Sequence, residues 1–588
     1  RIDSKHNYYQ SMLQQIKSYL SKGNRAQWCF FVLFALTIFL QCCLFHWLAF
    51  HSILISSLWK NPLAFWAFYL PKISISLFIA SFVFLFKRKG WTIVVSLLIN
   101  IWIIAELIYF RANRILLDAQ SFTLISNMDG FWSSVPMYMY SSDLILLLPN
   151  LLLISGIIFL AAEKRNTLSA IAIMGVALVT NIGGCLATRY VYDTLYKLPH
   201  DKNYFNPFSD EAVGALFGFT SLEYARNTSV VHAFIYDTKK LIQLPFESTS
   251  YMMTDEDKQL LEPFVNVYTS NIKPNRNLIL IIVESLETWA VHPEIMPNLW
   301  QFIHEHNVIW SKKVESQTKG GTSSDGQLIF NTGLLPIQHG AVCKRYPHNT
   351  FPSLSDLYEN AALVQPGDLS VWNQKYMSDS YHIDTNYLSP QSLDHVTFTI
   401  LDSIYRLHPY CMAITMATHS PFLACSKMTK LDLPDNMPEN MSNYLKCMHY
   451  SDSCWGVFLK KVNTDLVLQN TTICFMGDHI IFDPNMRNTF ATYCAENQLD
   501  YDVNSAHTAI ITYSPNIDKK YIVSETTYQM DAYPTILHLI GCEDYYWKGF
   551  GVNLLDSVAR NNRPIIEQQA FVLSDKIIRA NWFESFVK

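Results

Sequence analysis

The sequence predicts an α/β protein in two parts: a five-span N-terminal transmembrane helical domain, then an extracytoplasmic domain with a mostly parallel central sheet. Three observations carry this. The 588 residues are 50% hydrophobic and only 16% charged, against roughly a quarter charged for an ordinary soluble protein. The apolar excess lies before about residue 190, in five runs that have the roughly 20 residues needed to cross hydrocarbon as a helix. In the second half, the aliphatic runs 278–283 and 473–477 break off at Glu284 and at the pair Asp478-His479, as strands covered on both faces of a parallel sheet do.

The five spans fall at 28–50, 65–86, 91–110, 143–162 and 167–187. Lys87, Arg88 and Lys89 join the second to the third, Lys164-Arg165 join the fourth to the fifth, and Lys17, Lys22 and Arg25 precede the first. Positive residues stay on the cytoplasmic side, so all three clusters agree on an N-in topology. An odd number of spans then leaves the C-terminal domain outside the cytoplasmic (inner) membrane of a multi-pass protein. The first apolar run starts too far in and is too long for a cleaved signal peptide. Glu106 lies near the outer end of the third span and is expected to reach interfacial water or a polar neighbour. In the following external loop, Arg111 and Arg114 are candidate contacts for a lipid phosphate. Phe131, Trp132, Tyr138 and Tyr140 suit the head-group region. The expected division is 1–190 for the membrane domain, 191–271 for a linker packing on the outer domain, and 272–588 for the catalytic domain. A formal net charge of −5 gives no basis for a nucleic-acid partner. Eight external cysteines permit disulfides in an oxidising compartment, with pairings that spacing does not define.

Ligands of open α/β sheets sit beyond the carboxyl ends of the strands. Glu284 leaves one such end, and Gly477 allows the turn that presents Asp478 and His479 together at another. Between them in sequence, Gly320-Gly321-Thr322-Ser323 precedes an expected helix, so Thr322 is either an ordinary N-cap or a hydroxyl placed where a helix N-terminus favours bound phosphate. Threonine is a poor nucleophile without help. Two carboxylates, one imidazole and this hydroxyl could share one divalent cation, which would make Thr322 a candidate for covalent phosphoryl transfer. Ser323 is the alternative nucleophile. Lys319 and Arg345 are candidate phosphate contacts, with solvated loops as the plain reading.

The passages 277–286, Gly321-Thr322-Ser323, 444–458, 476–479 and 529–535 resemble the lipoteichoic acid synthase family of membrane phosphoglycerol transferases, within the alkaline phosphatase and sulfatase superfamily and related to the lipid phosphoethanolamine transferases. The resemblance implies an alkaline-phosphatase-like fold for the outer domain. It implies metal ligation by Glu284, Thr322, Asp478 and His479, with Thr322 also the nucleophile. The ion would be manganese or zinc, with magnesium the third candidate. It further implies that His419 stands near the transferred group as a general acid, that Trp372 lines the substrate groove, and that His507 occupies the place of a histidine able to approach the metal. Two departures bear on substrate: Gln374 stands where the synthases have arginine, and Gln365 where they have histidine.

The implied reaction moves a phosphoglycerol or phosphoethanolamine head group from a phospholipid donor in the membrane to a glycolipid or glycan acceptor through a phospho-threonine. The rival enzyme is a phosphodiesterase or phosphatase of the same fold, and the non-enzymatic rival an inactive envelope protein. A sulfatase is excluded, because Thr322-Ser323-Ser324-Asp325-Gly326 has no Cys-x-Pro-x-Arg or Ser-x-Pro-x-Arg run from which formylglycine matures.

Overall fold

The structure is a computed structural model that describes residues 22–50, 62–85, 90–113, 116–117, 134–159, 166–195, 225, 228–243, 252–266, 272–337, 340–389 and 393–585. Lys17, Lys87, Arg88, Lys89, Lys164, Arg165, Arg114, Phe131, Trp132 and most of the expected linker lie outside these residues. The chain divides into two units, residues 1–119 with 138–244 and residues 120–137 with 245–588.

Among the described residues of the first unit, four helices are long and apolar enough to cross a membrane: Ala26–Phe50, Phe65–Phe84, Gly90–Ala112 and Thr167–Gly184. The expected fourth span is a shorter apolar element, a 3-10 segment Ser141–Leu147 running into an α-helix Leu148–Phe159. Pro149 explains the change of pitch, since a residue without an N–H fits the first turn of an α-helix but not the interior of a longer one. Arg111 and Asp143 form a two-pronged ion pair at 2.7 and 2.8 Å, buried in this unit, and Arg111 Nη1 also donates to Tyr138 O. That guanidinium is therefore engaged by protein groups and does not stand open to a lipid phosphate. Glu106 is buried and accepts from Leu117 N at 2.8 Å, which gives it the polar neighbour its position requires.

The second unit is built on one eight-stranded sheet in the order β4-β3-β5-β1-β6-β7-β2-β8. The strands are β1 Asn277–Val283, β2 Val308–Glu315, β3 Ala361–Pro366, β4 Thr385–Ser389, β5 Tyr410–Ile414, β6 Thr471–Gly477, β7 Thr508–Tyr513 and β8 Tyr521–Tyr528. Only β7 runs against the rest, pairing antiparallel with β6 and β2. Strands β1, β5 and β6 are buried along almost their whole length, which is why they read as unbroken aliphatic runs. Helices such as Ser323–Thr332, Glu439–Leu459 and Ala532–Leu539 cover the faces, as parallel sheets require. The eight cysteines of this unit are all free thiols, seven of them buried.

Candidate active site

Strand β1 lies between β5 and β6 and is parallel to both, with Val283 opposite Gly477. Glu284 and Asp478 therefore leave neighbouring strands at the same level of the sheet, and Asp478 N still donates to Val283 O at 3.1 Å. Ligand atoms from Glu284, Asp478 and His479 all lie within 4.8 Å of one another. His479 Nε2 stands 3.5 Å from Glu284 Oε1 and 3.6 Å from Asp478 Oδ2. Its Nδ1 faces Ile480 O at 3.2 Å, which assigns the proton to Nδ1 and leaves the Nε2 lone pair toward the two carboxylates, where it could hold a metal ion.

The electrostatics of this trio call for a cation. Burial and the adjacent Glu284 carboxylate push Asp478 up to about 7. Burial also works against an ionised Glu284, but the His479 and His419 imidazoles and the Ser285 and Ser323 hydroxyls outweigh it and hold that carboxyl below its ordinary value. Burial disfavours a charged His479, yet the two carboxylates keep the imidazole above its ordinary value. Asp478 Oδ1 accepts from Ser285 N and His479 N, whereas the buried Oδ2 has no hydrogen-bond partner. An orphaned carboxylate oxygen beside a second carboxylate and an imidazole fits a hard or borderline divalent cation.

Thr322 occupies the N-cap position of the helix Ser323–Thr332 at φ 44° and ψ −114°, and its side chain makes no capping hydrogen bond. Thr322 is thus the N-cap by position and through its carbonyl, which accepts from Asp325 N and Gly326 N, while its hydroxyl is not used as the cap. A β-branched residue in this region is an outlier that costs about 1–3 kcal/mol and persists only when its surroundings over-determine it. Here Asp325 Oδ2 accepts from Lys319 N at 2.8 Å and Gly321 N at 2.9 Å, while Ser324 Oγ donates to Gly321 O. Ser323 Oγ donates to Glu284 Oε2 at 3.0 Å, which brings the turn onto the ligand trio and engages the alternative nucleophile. Gly326 permits the close approach of the helix: a Cβ there would lie 3.0 Å from Asp478 Cβ and 3.3 Å from its Cα.

His419 sits on the turn that follows β5. Asp394 Oδ1 accepts from Met416 N and Ala417 N, Thr415 Oγ1 accepts from Glu284 N, and Thr418 Oγ1 donates to Glu284 O. The turn is thereby bolted to the first ligand strand. His419 Nδ1 lies 2.7 Å from Ser420 O, leaving Nε2 for chemistry.

The other expected contacts are placed less uniformly. Trp372 and Asn373 both have left-handed φ, 52° and 54°. Asn373 Nδ2 donates to Cys343 O, and Cys343 Sγ to Ser324 Oγ, so the short helix Val342–Arg345 joins the Trp372 turn to the Thr322 helix. Arg345 lies over the Tyr346 ring and donates to its hydroxyl at 3.3 Å. The Lys319 ammonium sits 4.5 Å from the centre of the Phe571 ring with Glu567 and Asp325 nearby, and burial lowers it. His507 faces Ser505 Oγ at 2.8 Å and Glu315 Oε1 at 3.3 Å, so both ring nitrogens have protein partners outside the trio. Gln365 donates to Asp368 O and the buried Gln374 to Ser378 Oγ. Asp325 and Asp394 carry no assignment from sequence. The Thr-x-x-Asp spacing of Thr322 to Asp325 is a capping-box-like signal for the first, whereas nothing local marks the second.

Residues 276–542 match the Sulfatase family, and residues 12–206 match the Lipoteichoic acid synthase N-terminal domain. A lipoteichoic acid synthase-like protein of Bacillus subtilis, YvgJ, is 24% identical over 335 residues, 52% of this chain and 54% of that protein. Lipoteichoic acid synthase of Staphylococcus aureus is 21% identical over 314 residues, 48% of each. The chain spans about half the length of the curated relatives it matches. Among solved structures, the lipoteichoic acid synthase LtaP of Listeria monocytogenes aligns at 18% identity and TM-score 0.44, covering 52% of this chain and 82% of that one. The lipooligosaccharide phosphoethanolamine transferase A of Neisseria meningitidis aligns at 10% identity and TM-score 0.48, covering 87% and 95%.

Proposed function

We propose, from the match of residues 276–542 to the Sulfatase family and of residues 12–206 to the Lipoteichoic acid synthase N-terminal domain, that the chain is a membrane-anchored bacterial transferase. It moves a phosphoglycerol or phosphoethanolamine head group from a phospholipid to a glycolipid or glycan of the cell envelope through a phospho-threonine at Thr322. The observation that carries this is the strained Thr322, its hydroxyl not used as a cap, on a turn bonded to a buried trio with an orphaned carboxylate oxygen. Glu284, Asp478 and His479 with the Thr322 hydroxyl would hold one divalent cation, manganese, zinc or magnesium. Such an ion, when bound, stabilises an alkoxide and the charge that builds on phosphoryl oxygens.

The remaining steps belong to the chain. Thr322 Oγ1 forms a bond to phosphorus, its proton departs to solvent, and the bond from phosphorus to the diacylglycerol oxygen breaks. His419 Nε2 delivers a proton to that leaving oxygen; in the second step it takes one back from the acceptor hydroxyl as the acceptor oxygen bonds phosphorus, the bond from phosphorus to Thr322 Oγ1 breaks, and Oγ1 regains a proton from solvent. Trp372 and Arg345 form the groove wall beside the Thr322 helix, with Arg345 as the anion contact. Lys319 supports the Thr322 turn from below through Asp325 and Glu567, and His507 supports the loop of Glu287 and Thr288 through its backbone carbonyl. With Ser141–Phe159 as a fifth crossing beside the four longer helices, the catalytic unit faces away from the cytoplasm, in keeping with the basic residues that flank the spans in the sequence, so enzyme and lipid donor share one surface.

The test uses the full chain in vesicles containing phosphatidylglycerol or phosphatidylethanolamine with labelled head groups, plus Mn²⁺. Mass spectrometry should find an adduct on Thr322 whose added mass names the head group, absent in Thr322→Ala and retained in Ser323→Ala. Label recovered only as a free phosphate ester, with no acceptor able to capture it, identifies a phosphodiesterase instead.

A further inference from the structure

Beyond the ligands themselves, we propose that Glu287 is a positioning residue that fixes the distance between the two ligand-bearing loops, with Arg487 as its counter-charge. This rests on the reading of Glu284, Asp478 and His479 as a cation site.

Backbone registry between β1 and β6 ends at the bond from Asp478 N to Val283 O. Past that point one loop carries Glu284 and the other Asp478 and His479, and their separation must be set by side chains. Glu287 is fully buried three residues beyond Glu284. Its Oε1 accepts from Ile481 N at 2.9 Å and Phe482 N at 3.2 Å on the opposite loop, and from Arg487 Nη2 at 2.6 Å in the helix Pro484–Glu496 that follows it. Its Oε2 accepts from Trp289 Nε1 at 2.7 Å on its own loop. One carboxylate thus clasps the second loop two and three residues after His479 while being pinned within the first.

Arg487 completes the clasp. Nε donates to Phe482 O at 3.1 Å and Nη1 to Val503 O at 2.9 Å, so the guanidinium also ties the helix Pro484–Glu496 to the loop before it and to the segment at Val503. Both side chains are nearly inaccessible, 7% exposed for Arg487 and 0% for Glu287. A buried ion pair is a weak source of stability, and an apolar pair of similar volume often serves as well or better. An apolar pair cannot, however, accept the N–H groups of Ile481 and Phe482. That carboxylate function is what holds the loop, and groups that orient metal ligands from behind typically alter metal affinity by 10–100-fold when changed.

The experiment is calorimetric titration of the metal-stripped full chain with Mn²⁺ alone, together with the absorption spectrum of the Co²⁺ form as a readout of coordination geometry. Glu287→Gln removes the charge that Arg487 faces and leaves one acceptor oxygen, so an NH₂ must stand against either Trp289 Nε1 or the Ile481, Phe482 and Arg487 donors; it should weaken Mn²⁺ binding about 10–100-fold and alter the Co²⁺ spectrum. Arg487→Lys keeps the charge but loses the fork, and should shift both readouts in the same direction by less, which keeps the test open if Glu287→Gln does not fold. The comparison variant is Asp452→Asn, which weakens a buried set of bonds to Asn298 and Leu299 and touches neither loop; it should lower the melting temperature without changing Mn²⁺ affinity. If Glu287→Gln and Arg487→Lys bind Mn²⁺ as the parent does, or if Asp452→Asn weakens binding equally at equal loss of stability, the positioning role is refuted while the cation site stands. If the folded parent binds no Mn²⁺, Co²⁺ or Zn²⁺, the cation site and the positioning role fall together.

Discussion

Gly326→Ala separates the effect of fold stability from that of site geometry. Gly326 is inside the helix Ser323–Thr332, where alanine is favoured over glycine by about 1 kcal/mol. Against that, the new Cβ would stand 3.0 Å from Asp478 Cβ and 3.3 Å from Asp478 Cα, where carbon atoms prefer about 3.5–4.0 Å. One contact partner is backbone, so relief requires the helix to retreat from the strand end by roughly 0.5–1 Å. Overpacking of this kind costs about 1–3 kcal/mol, which leaves a net loss of about 0–2 kcal/mol after the helix gain. The functional effect is larger, because a displacement near 1 Å at a reacting group costs about 10²-fold in rate, and the atom carried outward is Thr322 Oγ1. Denaturant unfolding should therefore show a small change, while head-group transfer falls by roughly 10–100-fold. A variant that keeps full turnover would show that the Thr322 helix and the Asp478 strand end need not be in contact for catalysis.

Two further outcomes follow from the same geometry. Thr322→Gly removes the hydroxyl and also relieves the positive φ, so unfolding should show a gain of about 1–3 kcal/mol less the added freedom of the unfolded chain, with transfer abolished; a destabilised variant would mean the backbone there is not strained. His382 is held above its ordinary value first by its pairing with Asp356, Nδ1 3.0 Å from Oδ1, which outweighs partial burial. A raised histidine contributes stability that is complete below its unfolded value near 6.5 and is lost as pH rises through the folded value. His382→Asn, which tolerates the left-handed backbone at this position, should melt lower than the parent near pH 6 and match it near pH 9, and a gap that widens with pH would reverse the assignment.

The parts of the site that were legible in the sequence are those whose cause is local. A strand buried on both faces must be apolar throughout, so Glu284 and Asp478 announce themselves as the residues where that requirement stops. Parallel pairing then puts them side by side, since Val283 is opposite Gly477. The expected fourth span was less legible because mean apolarity does not register Pro149, which sets where the α-helix begins. Asp394 and Glu287 were hidden for another reason. Each acts across more than 20 positions of chain, Asp394 on Met416 and Ala417 and Glu287 on Ile481, Phe482 and Arg487. No periodicity or short motif encodes such a contact. Lys319 has neighbours that its glycine-rich turn does not announce, since Glu567 and Phe571 come from the distant helix Glu567–Ala580.

The two glutamines bear on substrate through what they bond to. Gln374 is buried with its amide on Ser378 Oγ, and Gln365 donates to Asp368 O, so both amides are engaged by the protein, and neither carries the charge or the two-pronged fork of an arginine. A phosphodiester held beside Thr322 needs positive charge from elsewhere in the groove. Arg345 is placed to supply it on the proposed reading, because its four-residue helix is bonded to the Thr322 helix through Cys343 and to the Trp372 turn through Asn373. A guanidinium delivered from that helix approaches a bound head group along a different line from one delivered at position 374. The same nucleophile and cation trio would then accept a head group oriented differently, which is how a chain with this catalytic turn can differ in substrate from the synthases it resembles.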